Sequence, residues 1–186
     1  MCAFHAPTYR WTFEKYQQLP EAGLFVRDER VELFNGEIVL LARPSYRDSI
    51  AVARLNKFFI LNLGDRSVVS PRNPFMLDEH SAPHPDICLL HPACRHVRRL
   101  PRANEVFLAI EVSDSTLRYD REDKRPAYAR GGVREFWIVN LENNVLEVYR
   151  DPADETYRDT RTLDPDATIA PLAFPDVALR VGDFLP

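Results

Sequence analysis

The sequence predicts an α/β domain in which a central mixed sheet is flanked by helices. Three observations support this prediction. The apolar stretch 106–112 is typical of a strand buried on both faces. Residues 45–63 show the spacing of a long amphipathic helix. The dipeptide Asn35-Gly36 lies between two alternating segments, and it is the strongest short-range signal for a β-hairpin.

The N-terminal elements are a short helix and this hairpin. Thr12 can cap a helix over 13–19 that ends before Pro20. The hairpin strands are predicted at 30–34 and 37–42, in the same sheet as the strands predicted at 86–90 and 106–112. Because side chains alternate along a strand, Glu32 lies on the face opposite to its two apolar neighbours.

The middle of the chain supplies the long helix and further strands. The helix begins at Ser45 and ends at Gly64, a residue that favours helix termination. Short strands are predicted at 67–70, 74–77 and 86–90. Residues 91–104 are polar and basic, which predicts a loop before the buried strand.

The last third of the sequence predicts one more helix, a second hairpin and edge strands. Asp120 can cap a helix over 121–130, and Pro126 requires that helix to start late or to kink. The hairpin and edge strands are expected at 135–140, 145–150, 155–162 and 179–181. No repeat or linker divides the chain, so residues 1–186 are expected to form one domain.

Composition narrows the class of protein. The chain has 186 residues, 45% of them hydrophobic, which is enough for a core. Its net charge of −4 argues against a protein that coats nucleic acid non-specifically, since phosphate neutralisation requires basic residues. Three cysteines do not make a disulfide framework, and no signal peptide is evident. A cytoplasmic location is therefore expected, with no membrane association.

Two carboxylates point to a metal site. Burying a lone carboxylate is costly unless it is paired, protonated or bound to a cation, so Glu111 in its apolar strand implies a partner. Asp86 begins another strand directly after Pro85. Such acids with water suit Mg²⁺ or Mn²⁺. The alternative is that Glu111 pairs with an arginine and that Asp86 caps a turn.

Lys124 is the candidate third element of this site. It lies 13 residues after Glu111, in a predicted helix that should pack over the end of the strand. An ammonium there could orient a water or stabilise charge on a phosphate. The alternative is a solvated lysine in the charged turn 121–125.

Five segments carry a family resemblance in the same order along the chain: Arg30 to Val39, Asn73-Pro74, Pro85-Asp86-Ile87, Glu111 to Asp120 and Lys124 to Val139. They resemble the Uma2-type family, small and mainly bacterial proteins with a restriction-endonuclease-like fold. The resemblance covers about residues 10–150, and residues 151–186 are expected to add edge strands.

The family resembles a branch of the PD-(D/E)XK nuclease superfamily. This resemblance implies metal-dependent hydrolysis of phosphodiester bonds, with DNA as the expected substrate. The resemblance makes Asp86 and Glu111 the motif acids and Glu32 an additional acid, all three being metal ligands and catalytic residues. Ser113 stands where the motif lysine is usual, and Lys124 takes its place from the following helix. The implied cofactor is Mg²⁺ or Mn²⁺.

The sequence departs from the family pattern in two places. Residues 46–49 contain no histidine, and Arg72 stands where glutamine is frequent. The alternative function is a catalytically weak or inactive module that binds nucleic acid or a protein partner. An enzyme acting on another phosphodiester also fits these residues.

Two surface predictions concern partners. A homodimer is expected, because cutting two strands needs two active sites, and residues 136–150 are predicted to carry apolar residues for pairing. Arginines 95, 98, 99 and 102 lie in the loop between the acid-bearing strands. They either grip DNA phosphates beside the metal site or form a solvated loop.

Overall fold

The computed structural model describes residues 8–20, 22–25 and 29–186, and a six-stranded mixed sheet forms its centre. The strands are β1 (Val31–Phe34), β2 (Glu37–Leu40), β3 (Val68–Pro71), β4 (Ile87–Leu90), β5 (Val106–Ser113), β6 (Glu135–Asn140), β7 (Val145–Ala153), β8 (Thr156–Leu163), β9 (Thr168–Ile169) and β10 (Leu179–Arg180). The helices are α1 (Phe13–Tyr16), α2 (Tyr46–Leu63), α3 (Leu117–Tyr119) and α4 (Arg125–Arg130), with a π-helical turn at Asp120–Lys124.

The sheet order is β3-β4-β5-β6-β7-β8. Neighbouring strands are antiparallel except for β5 and β6, which are parallel. The crossover between these two strands contains α3, the π turn and α4. The strand that carries Glu111 therefore lies inside the sheet, and the helical crossover packs over one of its faces.

Each face of the sheet has its own apolar core. Helix α2 and the C-terminal segment cover one face, where Phe59, Trp137 and Phe184 belong to the same cluster. The helical crossover covers the other face, where Phe34 and Tyr128 pack on the strands. Ser45 caps α2 by accepting a hydrogen bond from the Asp48 amide at 3.1 Å, so the helix begins next to the residue that the sequence predicts.

The β1–β2 hairpin forms a separate two-stranded sheet, so its predicted membership of the central sheet is wrong. Asn35 and Gly36 have φ angles of 51° and 77°, the left-handed conformation that this turn requires. One bridge, between Leu33 and Ala82, links the hairpin to the chain before β4. The hairpin packs through Phe34 on the same face as the helical crossover, which brings Glu32 over the sheet.

The helical crossover begins earlier than predicted. It is helical from Leu117, so Asp120 lies inside it rather than at its cap. The π turn directly precedes the helix containing Pro126, which has no amide hydrogen for a regular helical bond. Asp120 and Lys124 are both buried in this turn.

Two other predicted elements differ from the structure. The strand predicted at 74–77 is absent from this described stretch, where Met76 makes only an isolated bridge to Arg102. Pro74 has no amide hydrogen to donate to a ladder there. Helix α1 is shorter than predicted, and the Thr12 side chain makes no capping bond.

The hairpin of β6 and β7 cannot be the dimer surface that the sequence suggested. Its apolar side chains are buried on both faces of the sheet, and β8 pairs with the free side of β7. Its residues belong to the two cores, which removes the surface expected for pairing. In the part of the chain that the structure describes, no helix is long and apolar enough to span a membrane.

A buried ion pair fastens the C-terminal segment to this hairpin. Glu135 is fully buried and lies 2.6 Å from the Arg150 guanidinium. The same carboxylate accepts hydrogen bonds from the Trp137 indole at 2.9 Å and the Leu172 amide at 2.6 Å. Arg150 also donates to the Ala170 carbonyl at 2.7 Å. The pair is thus hydrogen-bonded on both sides.

Glu135→Ala is expected to lower the free energy of unfolding by about 3–5 kcal/mol, because it leaves the Arg150 charge buried without a partner. Denaturation in urea measures the change. The matched control is Glu155→Ala, which breaks an exposed pair with Arg130 and should cost about 1 kcal/mol or less. Equal effects of the two substitutions would contradict the structural role of Glu135.

Candidate active site

The register of β4 and β5 brings the two motif acids together. Ile87 pairs with Ile110, so Asp86 and Glu111 follow as the next opposing residues of an antiparallel pair and face the same side. The Val112 amide donates to Asp86 Oδ2 at 2.9 Å, which holds the aspartate against the end of β5. Asp86 directly precedes β4, Glu111 lies in β5 of the same sheet, and both acids line one cleft, as predicted.

Lys124 points into the site and away from bulk solvent, with only 3% of its surface exposed. Its Nζ donates to Glu111 Oε1 at 2.9 Å. The same ammonium lies 3.6 Å from Glu32 Oε1 and 3.8 Å from Asp120 Oδ1. One ammonium is therefore surrounded by three carboxylates, which excludes the solvated alternative for this lysine.

Glu32 holds this cluster from the hairpin side. Its Oε2 accepts from the His84 amide at 2.8 Å, and its Oε1 accepts from the Tyr119 hydroxyl at 3.0 Å. With the nearby Lys124 ammonium, both oxygens of the buried carboxylate have partners. The position fits a residue that orients Lys124 and Tyr119.

Sequence reasoning missed three members of the cluster. The Tyr128 hydroxyl donates to Glu111 Oε1 at 2.9 Å. Asp120 Oδ2 accepts from the hydroxyls of Ser113 and Thr116, both at 2.7 Å. Tyr119 is the third, through its bond to the hairpin glutamate. Tyrosines in a helix next to apolar residues are typical of core packing, so no sequence signal marked them.

Arg72 is a further residue that the sequence marked only as a departure. Its Nε donates to Asp86 Oδ1 at 3.2 Å, and its Nη2 donates to Asp48 Oδ1 at 2.6 Å. Asp48 lies in the first turn of α2. Each motif acid thus has a basic partner in the structure.

Burial and crowding shift the pKa values of the buried cluster. Burial raises the pKa of Glu111 well above its ordinary value against the effect of Lys124, and Asp120, Asp86 and Glu32 raise it further. Burial alone would lower the pKa of Lys124, but the surrounding carboxylates outweigh it and raise that pKa. The ammonium therefore stays charged beside a carboxyl group whose pKa is raised.

The pKa of Asp48 is also perturbed. Burial, followed by the nearby charge of Asp86, raises it to about 6 although Arg72 acts in the opposite direction. The acid at the start of α2 thus belongs electrostatically to the same site.

A cleft of about 560 Å³, partly open to solvent, gives access to these groups. Its lining includes Asp48, Asp86, Glu111 and Lys124. Among the residues that the structure describes, no three acidic, histidine or cysteine side chains are grouped as metal ligands. Two carboxylates on one cleft nevertheless match the donor set of Mg²⁺ or Mn²⁺, which complete their coordination with water or phosphate oxygens. The donor chemistry therefore fits a divalent cation at Asp86 and Glu111.

The arginine-rich loop lies away from this cleft. It joins the end of β4 to the start of β5, whereas the acids lie at the start of β4 and near the end of β5. Arg95 pairs with Asp65 at 2.8 Å, and Arg99 pairs with Glu105 at 2.7 Å. The suggestion of a phosphate grip beside the metal site is therefore wrong, because antiparallel pairing puts the loop at the opposite end of the strands.

A comparison with models of known protein families shows to which family this chain belongs. Residues 13–182 match the model of Uma2, which is described as "Putative restriction endonuclease". The chain belongs to the Uma2 family. The central mixed sheet with flanking helices thus confirms the predicted restriction-endonuclease-like fold.

A solved structure supports this assignment of fold. The crystal structure of a "putative nuclease" from Anabaena variabilis matches with a TM-score of 0.72 and 17% sequence identity. The match covers 93% of this chain and 96% of that chain. The comparison with curated proteins finds no match.

Proposed function

We propose that this Uma2 protein is a metal-dependent nuclease that hydrolyses phosphodiester bonds of DNA. The observation that carries the proposal is the buried ammonium of Lys124 at 2.9 Å from Glu111, beside a cleft that also exposes Asp86. Family membership supports nuclease chemistry as the activity of this site. The absence of a lysine at position 113 does not count against this proposal, since the helical crossover supplies the ammonium group of Lys124 instead.

Each group has a separate role in the proposal. Mg²⁺ or Mn²⁺ held by Asp86 and Glu111 would polarise the phosphodiester and acidify a water. Lys124 orients that water or stabilises charge that develops on the phosphate. Glu32, which the sequence assigned as a third ligand, positions Lys124 in this scheme, because its oxygens already accept bonds from the His84 amide and Tyr119.

The test is cleavage of plasmid and linear duplex DNA with Mg²⁺, Mn²⁺ or a chelator. Cleavage is expected with either metal and none with the chelator. Glu111→Gln should reduce the rate by about 10²–10³-fold, because the amide cannot supply the charge that holds the cation and Lys124. Glu155→Gln, at an exposed glutamate on the surface, is the matched control and should cleave as the wild type.

The outcomes separate the alternatives. Tight DNA binding without cleavage in any metal would favour an inactive binding module. Hydrolysis of a small activated diester, without any cleavage of DNA, would favour another phosphodiester as the substrate. Metal-dependent cleavage that survives Glu111→Gln would contradict the site itself.

A homodimer and a cytoplasmic location complete the proposal. Two-fold symmetry would place one active site on each strand of a duplex. The dimer surface must lie outside the buried β6–β7 hairpin, and light scattering across a range of concentrations tests for it. The low cysteine content supports a reducing compartment.

A further inference from the structure

Arg72 is held in an unusual way at the edge of the cleft. Its φ angle is 52°, a left-handed conformation that is uncommon outside glycine and asparagine. Its amide donates to the Asp86 carbonyl at 3.1 Å, which fixes the arginine backbone against the start of β4. The surroundings therefore maintain a backbone strain that places this side chain at the site.

The guanidinium divides its bonds between two acids that it contacts at different distances. Nη2 donates to Asp48 at 2.6 Å, and Nε donates to Asp86 at the longer distance of 3.2 Å. The Arg72 side chain is 31% exposed, and it lines a groove that adjoins the cleft and also contains Arg30 and His84. The guanidinium can thus turn toward this groove while it keeps its shorter bond to Asp48.

Each of the two acids proposed as metal ligands already faces one of the protein's own cations. Lys124 lies against Glu111, and Arg72 lies against Asp86. Asp86 uses one oxygen for Arg72 and the other for the Val112 amide. A divalent cation at Asp86 would meet the positive guanidinium at close range, where like charges repel strongly.

We propose that Arg72 occupies Asp86 when metal and substrate are absent, and that it binds the substrate phosphate when they are present. This inference rests on the proposed nuclease function. When the cation binds, the guanidinium leaves Asp86, stays paired with Asp48 and donates to non-bridging oxygens of the phosphodiester. The planar guanidinium suits such paired phosphate contacts.

This arrangement makes metal and DNA binding cooperative. Arg72 competes with the metal in the free protein, so metal affinity is reduced until a phosphate accepts the guanidinium. By thermodynamic linkage, metal must then raise the affinity for DNA by the same factor. The relevant ligand is the phosphodiester backbone, which carries no sequence information by itself.

The first experiment is calorimetric titration of Mn²⁺ without nucleic acid. Arg72→Gln is expected to bind Mn²⁺ about tenfold more tightly than the wild type, because the competing charge is gone. The control is Arg47→Gln. Arg47 lies in the first turn of α2, and it pairs with Asp114 rather than with Asp86. Its Mn²⁺ affinity should stay within about twofold of wild type.

The second measurement follows binding of a short duplex oligonucleotide by fluorescence anisotropy, with Ca²⁺ in place of the reactive metals. Arg72→Gln should bind the duplex about tenfold more weakly in Ca²⁺, since a phosphate contact is lost. Opposite changes in metal and DNA affinity are not expected from general damage to the structure. They are the signature of one side chain that exchanges between the two ligands.

A measurement on the wild type covers the case in which Arg72→Gln does not fold. The Arg72 Nε–H resonance, identified by its loss in Arg72→Lys, is expected to shift when Mg²⁺ is added. An unchanged resonance at saturating Mg²⁺ would overturn the exchange.

The remaining outcomes distinguish this inference from the proposed function. Equal Mn²⁺ affinity in Arg72→Gln and wild type overturns the role of Arg72 and leaves the nuclease proposal standing. If neither protein binds Mn²⁺, both proposals fail, because the metal site is then absent.

Discussion

Lys124→Met is expected to reduce DNA cleavage by about 10²–10³-fold and to lower the free energy of unfolding by about 3–5 kcal/mol. Methionine has a similar length but no charge, so Glu111, Glu32 and Asp120 would lose the ammonium that faces all three. One of these acids must then take up a proton, which weakens the folded state and removes a charge from the site. Cleavage rates and urea denaturation measure the two effects.

Lys57→Met is the matched control for this substitution. Lys57 is exposed on α2, so its replacement should leave both stability and cleavage close to wild type. The two effects of Lys124→Met can be separated by measuring cleavage at low temperature, where the variant remains folded. Normal cleavage by folded Lys124→Met would exclude this lysine from the chemistry and favour a purely structural ammonium.

The sequence was sufficient to predict the acids of the site but not all of their partners. Glu111 is conspicuous because a lone carboxylate interrupts a strand that is otherwise apolar. Asp86 was identifiable because it begins the neighbouring strand, and their opposition follows from antiparallel register. Both predictions depend on local pattern and pairing rules, which a sequence contains.

The partners depend on geometry that sequence patterns do not specify. Lys124 could equally have been a solvated lysine in a charged turn, and only the π turn shows that it and Asp120 both point inward. Arg72 reaches Asp48, 24 residues earlier in the chain, through a left-handed turn. Contacts of this kind arise from the packing of α2 against the strand ends.

The errors in placement have a common physical origin. The Asn35-Gly36 turn specifies a hairpin, but a hairpin pattern does not say whether its edges pair with a larger sheet. The sequence wrongly predicts exposed apolar residues within 136–150, because alternation along a strand does not show whether both of its faces are covered. Both features depend on contacts between segments that are distant in the sequence.

Asp86→Asn is expected to abolish measurable Mg²⁺ or Mn²⁺ binding and to reduce cleavage by about a thousandfold. The carboxamide keeps the size of the side chain but lacks the negative charge that attracts the cation. Stability should change little, because the amide oxygen can still accept from Val112 and Arg72 keeps its bond to Asp48. Calorimetric titration and the DNA cleavage assay measure these effects.

The matched control for this change is Asp176→Asn, at an exposed aspartate that pairs with Arg66 outside the cleft. It should leave metal binding and cleavage unchanged. If Asp86→Asn still binds metal, the cation must bind at another place in the protein. Glu111 alone would not hold it, since its carboxylate already accepts hydrogen bonds from Lys124 and Tyr128. Loss of cleavage together with preserved stability would instead identify Asp86 as a group retained for chemistry, because the fold does not need its charge.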